Sequence, residues 1–290
     1  MNNQIWLIRR EFWENRAIWS IPAIIGVLLI IAGLFSRVNL PTLSSANDTH
    51  DFAAIFLVAI GMFFYLVMSV YATWYLLDCL HADRKDRSIL FWKSLPLSDT
   101  ETVFSKLIVA IVVIPAVYFV AADVTALIVA FVVSIRLRSL IGDALWHPDV
   151  WLQIQVLWVY VIVTTAIWYL PIAGWLMLVS AWAKRAVILW ATLPPLVLCI
   201  IERYFGSHVL WNVLRERLFG LPAASLRASG PHSWNVSGTG DDSTLHLPSS
   251  VWHFINAGEF FTNPQTLIGA AVGVLLIIGA IQLRMRRSEI

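Results

Sequence analysis

Asp123 is the one carboxylate set deep in a long apolar run, seventeen residues after Lys106 and thirteen before Arg136. An ionisable group there is costly and by default points to a substrate path or a proton step. Its second reading is as a helix pin, hydrogen-bonded to Thr125, Thr164 or Thr165. Six of the seven histidines, His50, His147, His208, His232, His246 and His253, fall in segments assigned below to one side of the apolar runs. Only His246 and His253 are near each other, at no helical or finger-like interval, so no metal ligand set is expected. Cys79 and Cys199 fall on opposite sides of the apolar runs in the topology given below, so they are not expected to pair and read as small buried residues. There is no Gly-x-x-x-x-Gly-Lys-Ser/Thr phosphate loop, dinucleotide fingerprint, Gly-x-Ser-x-Gly elbow or His-Glu-x-x-His pair in the chain. Any ATP that this protein uses is expected on another chain, and no catalytic or cofactor-binding residue is assigned.

The elements that hold these groups belong to a membrane. Of the 290 residues, 59% are hydrophobic and only 13% charged, with a mean hydropathy of +0.75; an ordinary soluble domain has about 25% charged residues. The formal net charge of +2 is too small to argue for nucleic acid. Fifteen tryptophans suit a chain with many water–lipid boundaries. Six apolar runs reach the roughly 17–25 residues that cross a bilayer: Ala17 to Phe35, Phe52 to Leu77, Leu107 to Ile135, Val150 to Trp182, Ala186 to Tyr204 and Leu267 to Leu283. The third and fourth exceed that need, and Pro194-Pro195 is expected to interrupt the fifth. The expected fold is a single all-α polytopic domain over residues 1–290.

Six spans put both termini on one side. Thirteen of the twenty Lys and Arg residues fall on that side and seven on the other, four of those between Arg203 and Arg227. Both ends are therefore expected in the cytoplasm. Residues 2–14, with Ile5, Trp6, Ile8, Phe12 and Trp13 among Arg9, Arg10, Glu11 and Glu14, have the mixture expected of an interfacial helix. Residues 206–263 form the large external segment, with amphipathic pieces at each end and a polar middle. Gly269 and Gly273 make a Gly-x-x-x-Gly pair in the last run, for close packing within the chain or against a second copy. Pro115, Pro171 and Gly174 permit kinks.

Between the second and third runs lies Leu80 to Leu107, charged and cytoplasmic by the same count. An apolar turn, Ile89-Leu90-Phe91-Trp92, is stopped by Pro96, which lacks an amide donor. Ser98-Asp99-Thr100-Glu101 then reads as a capping box opening a new helix. A stop and restart of this kind fits a docking element in residues 83–97.

This order of parts resembles the permease subunit of a type 2 ABC exporter. The likeness rests on an N-terminal interfacial helix, six spans with both ends inside, Lys93-Ser94-Leu95-Pro96-Leu97-Ser98, and Ser105-Lys106-Leu107. Ser105 stands where that family commonly has glycine, and Asp83 to Arg87 where it often has a glutamate–arginine pair. The resemblance implies a coupling helix that contacts an ATP-binding subunit, through Ile89, Leu90, Phe91 and Trp92 with Arg84, Asp86, Arg87 and Lys93 at the rim. It further implies two ATP-binding subunits carrying ATP and Mg, a second permease chain, identical or related, and a bacterial inner membrane. Helices between the fifth and sixth spans would be re-entrant. Two other readings stand beside it: a membrane-embedded enzyme built from Asp123 and the external histidines, and a structural or sensory subunit of a larger complex.

Overall fold

A computed structural model of the protein describes residues 3–35, 46–85, 98–137, 145–226 and 255–287. Every regular element among them is helical. The helices are α1 (Asn3–Glu14), α2 (Ala17–Phe35), α3 (Ala46–Lys85), α4 (Asp99–Ile108), α5 (Ile114–Leu137), α6 (Pro148–Trp168), α7 (Leu170–Trp182), α8 (Val187–Tyr204), α9 (Val209–Phe219), α10 (Leu221–Ser225), α11 (Ala257–Thr262) and α12 (Pro264–Arg287). A π turn, Val109–Val113, joins α4 to α5 in one continuous rod. Among the described residues six stretches are long and apolar enough to cross a bilayer: Ala17–Phe35, Ala53–Asp83, Asp99–Arg136, Pro148–Trp168, Val187–Tyr204 and Pro264–Arg286. The chain is thus an all-α integral membrane protein. Apolar side chains such as Leu28, Phe131, Leu193 and Leu275 point outward from the bundle, as they must where the surrounding solvent is lipid.

Several helix ends follow from local chemistry. Ser98 and Glu101 form the expected capping box: the Glu101 amide donates to Ser98 Oγ at 3.1 Å, and the Ser98 amide to Glu101 Oε2 at 3.0 Å. Asn263 Oδ1 accepts the Gln265 amide at 2.9 Å and Pro264 opens α12. Glu202 accepts the Leu210 amide on both oxygens, at 2.8 and 2.9 Å. It thereby places a carboxylate at the N-terminus of α9, where the helix dipole favours it.

Two of the apolar runs differ from the sequence expectation, one in being split and the other in being whole. The long fourth run is not one helix: it breaks at Tyr169 (φ −88°, ψ 4°), two residues before Pro171. The fifth is not interrupted, since α8 runs through Pro194 and Pro195. Pro195 has no amide to give to the carbonyl four residues back, on Ala191. The indole of Trp175 on α7 donates to that carbonyl instead, at 3.0 Å. Trp175→Phe is therefore expected to leave a buried acceptor unpaired and to cost about 1–2 kcal/mol, read from unfolding of the purified protein in detergent. An unchanged stability would mean that the helix tolerates Pro195 unaided.

The core packs α7 between α3 and α12, with α5 flanked by α2 and α3. Backbones approach closely where glycine allows it. A Cβ on Gly174 of α7 would lie 2.7 Å from the Gly273 carbonyl oxygen of α12, and one on Gly273 would lie 2.7 Å from the Leu170 carbonyl carbon. Gly273 therefore packs within the chain. Gly269, one turn away, is covered by the guanidinium of Arg217.

Candidate functional site

The N-terminal helix and the C-terminal end of α12 meet at one pole of the bundle, around a buried set of charges. Glu11 faces inward from α1 beside Leu7, the two being 2% and 5% exposed, while Ile5, Trp6 and Trp13 face out. Lys106, on the last turn of α4, lies 2.7 Å from Glu11 Oε1 and 3.3 Å from Asp83 Oδ1. The other Asp83 oxygen takes Arg284 Nη1 at 3.1 Å, and Arg284 Nε reaches Asp99 Oδ1 at 3.0 Å. The hydroxyl of Tyr75 donates to Glu11 Oε2 at 3.0 Å. Side-chain exposure is under 10% for Glu11, Asp83, Lys106 and Arg284, and 25% for Asp99.

This arrangement has a mechanical consequence. Asp83 closes the last turns of α3 and Asp99 opens α4, so they bracket residues 86–97. One guanidinium at the end of the last helix holds both brackets, and Lys106 joins them to the N-terminal helix. The same pole is stiffened from α7, where buried Ser180 Oγ accepts the Leu80 and His81 amides, both at 3.1 Å. Buried charges of this kind are tolerated only when paired and hydrogen-bonded.

Sequence reasoning counted Arg284 and Lys106 toward topology and Glu11 toward an interfacial helix. It gave none of them a partner. The one local signal is that Glu11 follows Leu7 by four residues, on the face of α1 turned to the bundle.

The sequence-predicted site residues divide among several places. Arg84 lies in the last turn of α3, and its side chain, with Asp86, Arg87, Ile89, Leu90, Phe91, Trp92 and Lys93, lies outside the described residues. Asp123 is paired, but not with a threonine: Gln155 Nε2 of α6 donates to its Oδ1 at 2.8 Å. Thr125 instead donates to the Ala121 carbonyl and Thr164 to that of Tyr160, each on its own helix. Thr165 pairs with the Tyr65 hydroxyl of α3 at 2.9 Å. Among the described residues no group of three His, Cys, Asp or Glu side chains could hold a metal ion. Cys79 is buried, whereas Cys199 is only partly so, and both are free thiols.

At the opposite pole α9 docks on the break between α6 and α7. The Arg217 guanidinium lies 4.5 Å from the centre of the Trp168 ring and donates to the Gln265 carbonyl. Trp168 Nε1 donates to the Arg217 carbonyl at 3.0 Å, and the Tyr169 hydroxyl to that of Leu218 at 2.9 Å. Burial lowers the pKa of the Arg217 guanidinium from its usual value, with Glu216 opposing; arginine keeps its charge nonetheless.

Comparisons of the chain with family models, with curated proteins and with solved structures find no match.

Proposed function

We propose that this chain is the membrane permease subunit of an ATP-driven exporter, coupled through residues 86–97 to a separate ATP-binding subunit. The observation that carries the proposal is the double grip of Arg284 on Asp83 and Asp99. A docking element moves a bundle only if its two ends are fixed to the helices that must move. Here both ends are tied to α12, and through Lys106 to α1, so a push on the segment is shared by α1, α3, α4 and α12. ATP binding in the partner would favour one bundle arrangement over another through its differential contact with this element. The lack of a phosphate loop in this chain fits a supply of ATP and Mg in trans. On this reading the pole with the termini faces the cytoplasm, the membrane is a bacterial inner membrane, and a second permease chain completes the path.

The test is a pull-down of the ATP-binding subunit by the double variant Leu90→Ala/Trp92→Ala. The expected result is loss of the ATPase from the complex while the permease stays in the membrane. Retention of full, substrate-responsive ATPase activity would overturn the assignment.

A further inference from the structure

A second feature lies well away from the charged pole, about 25 Å along the helix axis from Lys106 at 1.5 Å per residue. It is a narrow recess between α3, α5 and α6, with a free volume of about 30 Å³. Leu57, Gly61, Phe64, Met68 and Trp158 form apolar walls, the Trp158 indole lying across Gly61. Three polar groups share the same recess: Asp123, Gln155 and Tyr118.

Their hydrogen bonding is incomplete in a particular way. Gln155 spends one donor on Asp123 Oδ1, and among the described residues its own buried Oε1 has no partner. The Tyr118 hydroxyl likewise has no partner among the described residues, on a side chain only 1% exposed. An ionised carboxylate and an amide oxygen can only accept, so what these oxygens lack is a donor or a cation. Among the described residues no Lys, Arg or His lines the recess, and α2, packed on another face of α5, carries no charged residue. The other titratable groups in the walls are the phenols of Tyr65, already paired with Thr165, and Tyr118 itself, on which Tyr71 stacks. An ionised Asp123 therefore has no counter-charge from the described residues of the walls. In apolar surroundings such a charge must be paired or neutralised.

The size of the space limits the occupant. A water-sized species needs roughly 10–15 Å³ by this measure, so the recess holds one or two. We propose that it binds a single positive charge of that size, with Asp123, Gln155 and Tyr118 supplying the oxygens. The charge is either an alkali ion, coordinated by those oxygens, or a proton. The proton would add to Asp123 and turn the carboxyl into a donor toward Gln155 Oε1. The site is independent of any ATPase docking at residues 86–97.

The experiment uses the purified full chain in detergent or nanodiscs. Its melting temperature is recorded in NaCl, KCl and choline chloride at fixed ionic strength, between about pH 5 and 9, beside equilibrium binding of radioactive sodium. Stabilisation by Na⁺ or K⁺ over choline, with bound sodium, identifies an alkali ion. Stabilisation on acidification, equal in the three salts, identifies a proton. Either response should weaken at least tenfold in apparent affinity in Asp123→Asn, which retains an acceptor for Gln155, and should also weaken in Tyr118→Phe, which removes only the hydroxyl. A wild-type protein indifferent to both salt and pH would overturn the proposal. So would a response that survives in both variants. Because neither substitution touches residues 86–97, ATPase pull-down is expected to be unchanged, and failure here is distinct from failure of the exporter assignment.

Discussion

Lys106→Met is expected to destabilise the protein by about 3–5 kcal/mol, the usual cost of removing one partner from a buried ion pair. The ammonium is 4% exposed and lies between Glu11 Oε1 and Asp83 Oδ1. Methionine fills much of the same space but leaves Glu11, among the described residues, with the Tyr75 hydroxyl and the Asn15 side chain. The deficit should appear in unfolding of the purified protein in detergent. Its origin is separable from lost packing. Glu11→Gln in the Lys106→Met background removes the stranded carboxylate, so the double variant should recover much of the loss. Equal instability in the single and double variants would assign the effect to packing of α1 and not to charge. Arg284→Met should be milder, since Asp99 is a quarter exposed and retains water.

The elements of this network were legible in the sequence, but the network was not. The capping box at Ser98 and the six apolar runs are local patterns, set within a few residues by capping or hydropathy. Lys106 and Glu11 are 95 residues apart, and Arg284 and Asp83 are 201 apart. No periodicity links such positions, because their pairing depends on how α1 and α12 dock. Proline in α8 defies local reading for a related reason. Whether Pro195 breaks a helix depends on a donor from another helix, and Trp175 supplies one; nothing near Pro195 announces it. Asp123 is similar: the nearby threonines satisfy themselves on their own backbones, which frees the aspartate for a glutamine on the neighbouring helix. The element on which the exporter resemblance turns, residues 86–97, is framed by the described structure at Asp83 and Asp99 only.

Gly273→Val is expected to cost about 3 kcal/mol, at the upper end of what overpacking usually costs. The reason is what the added carbon would meet: the Leu170 carbonyl carbon at 2.7 Å and the Pro171 nitrogen at 2.8 Å. A side chain can rotate away from such a clash, but backbone cannot, so α7 and α12 would have to part. That separation would also loosen the turn at Tyr169, where α9 is held by Trp168 and Tyr169. Gly279→Val is the matched control, because a carbon there meets only the Leu178 Cδ1 methyl at 3.2 Å, on a side chain free to turn. Both substitutions replace a glycine of one helix by valine, so their intrinsic propensity terms cancel in the comparison. A much larger loss at 273 than at 279, measured by unfolding in detergent, locates the effect in helix–helix approach. Equal losses would deny that α7 and α12 are in backbone contact. If monomeric and oligomeric fractions also respond alike in the two variants, the glycine pair serves the fold of one chain and not the joining of two.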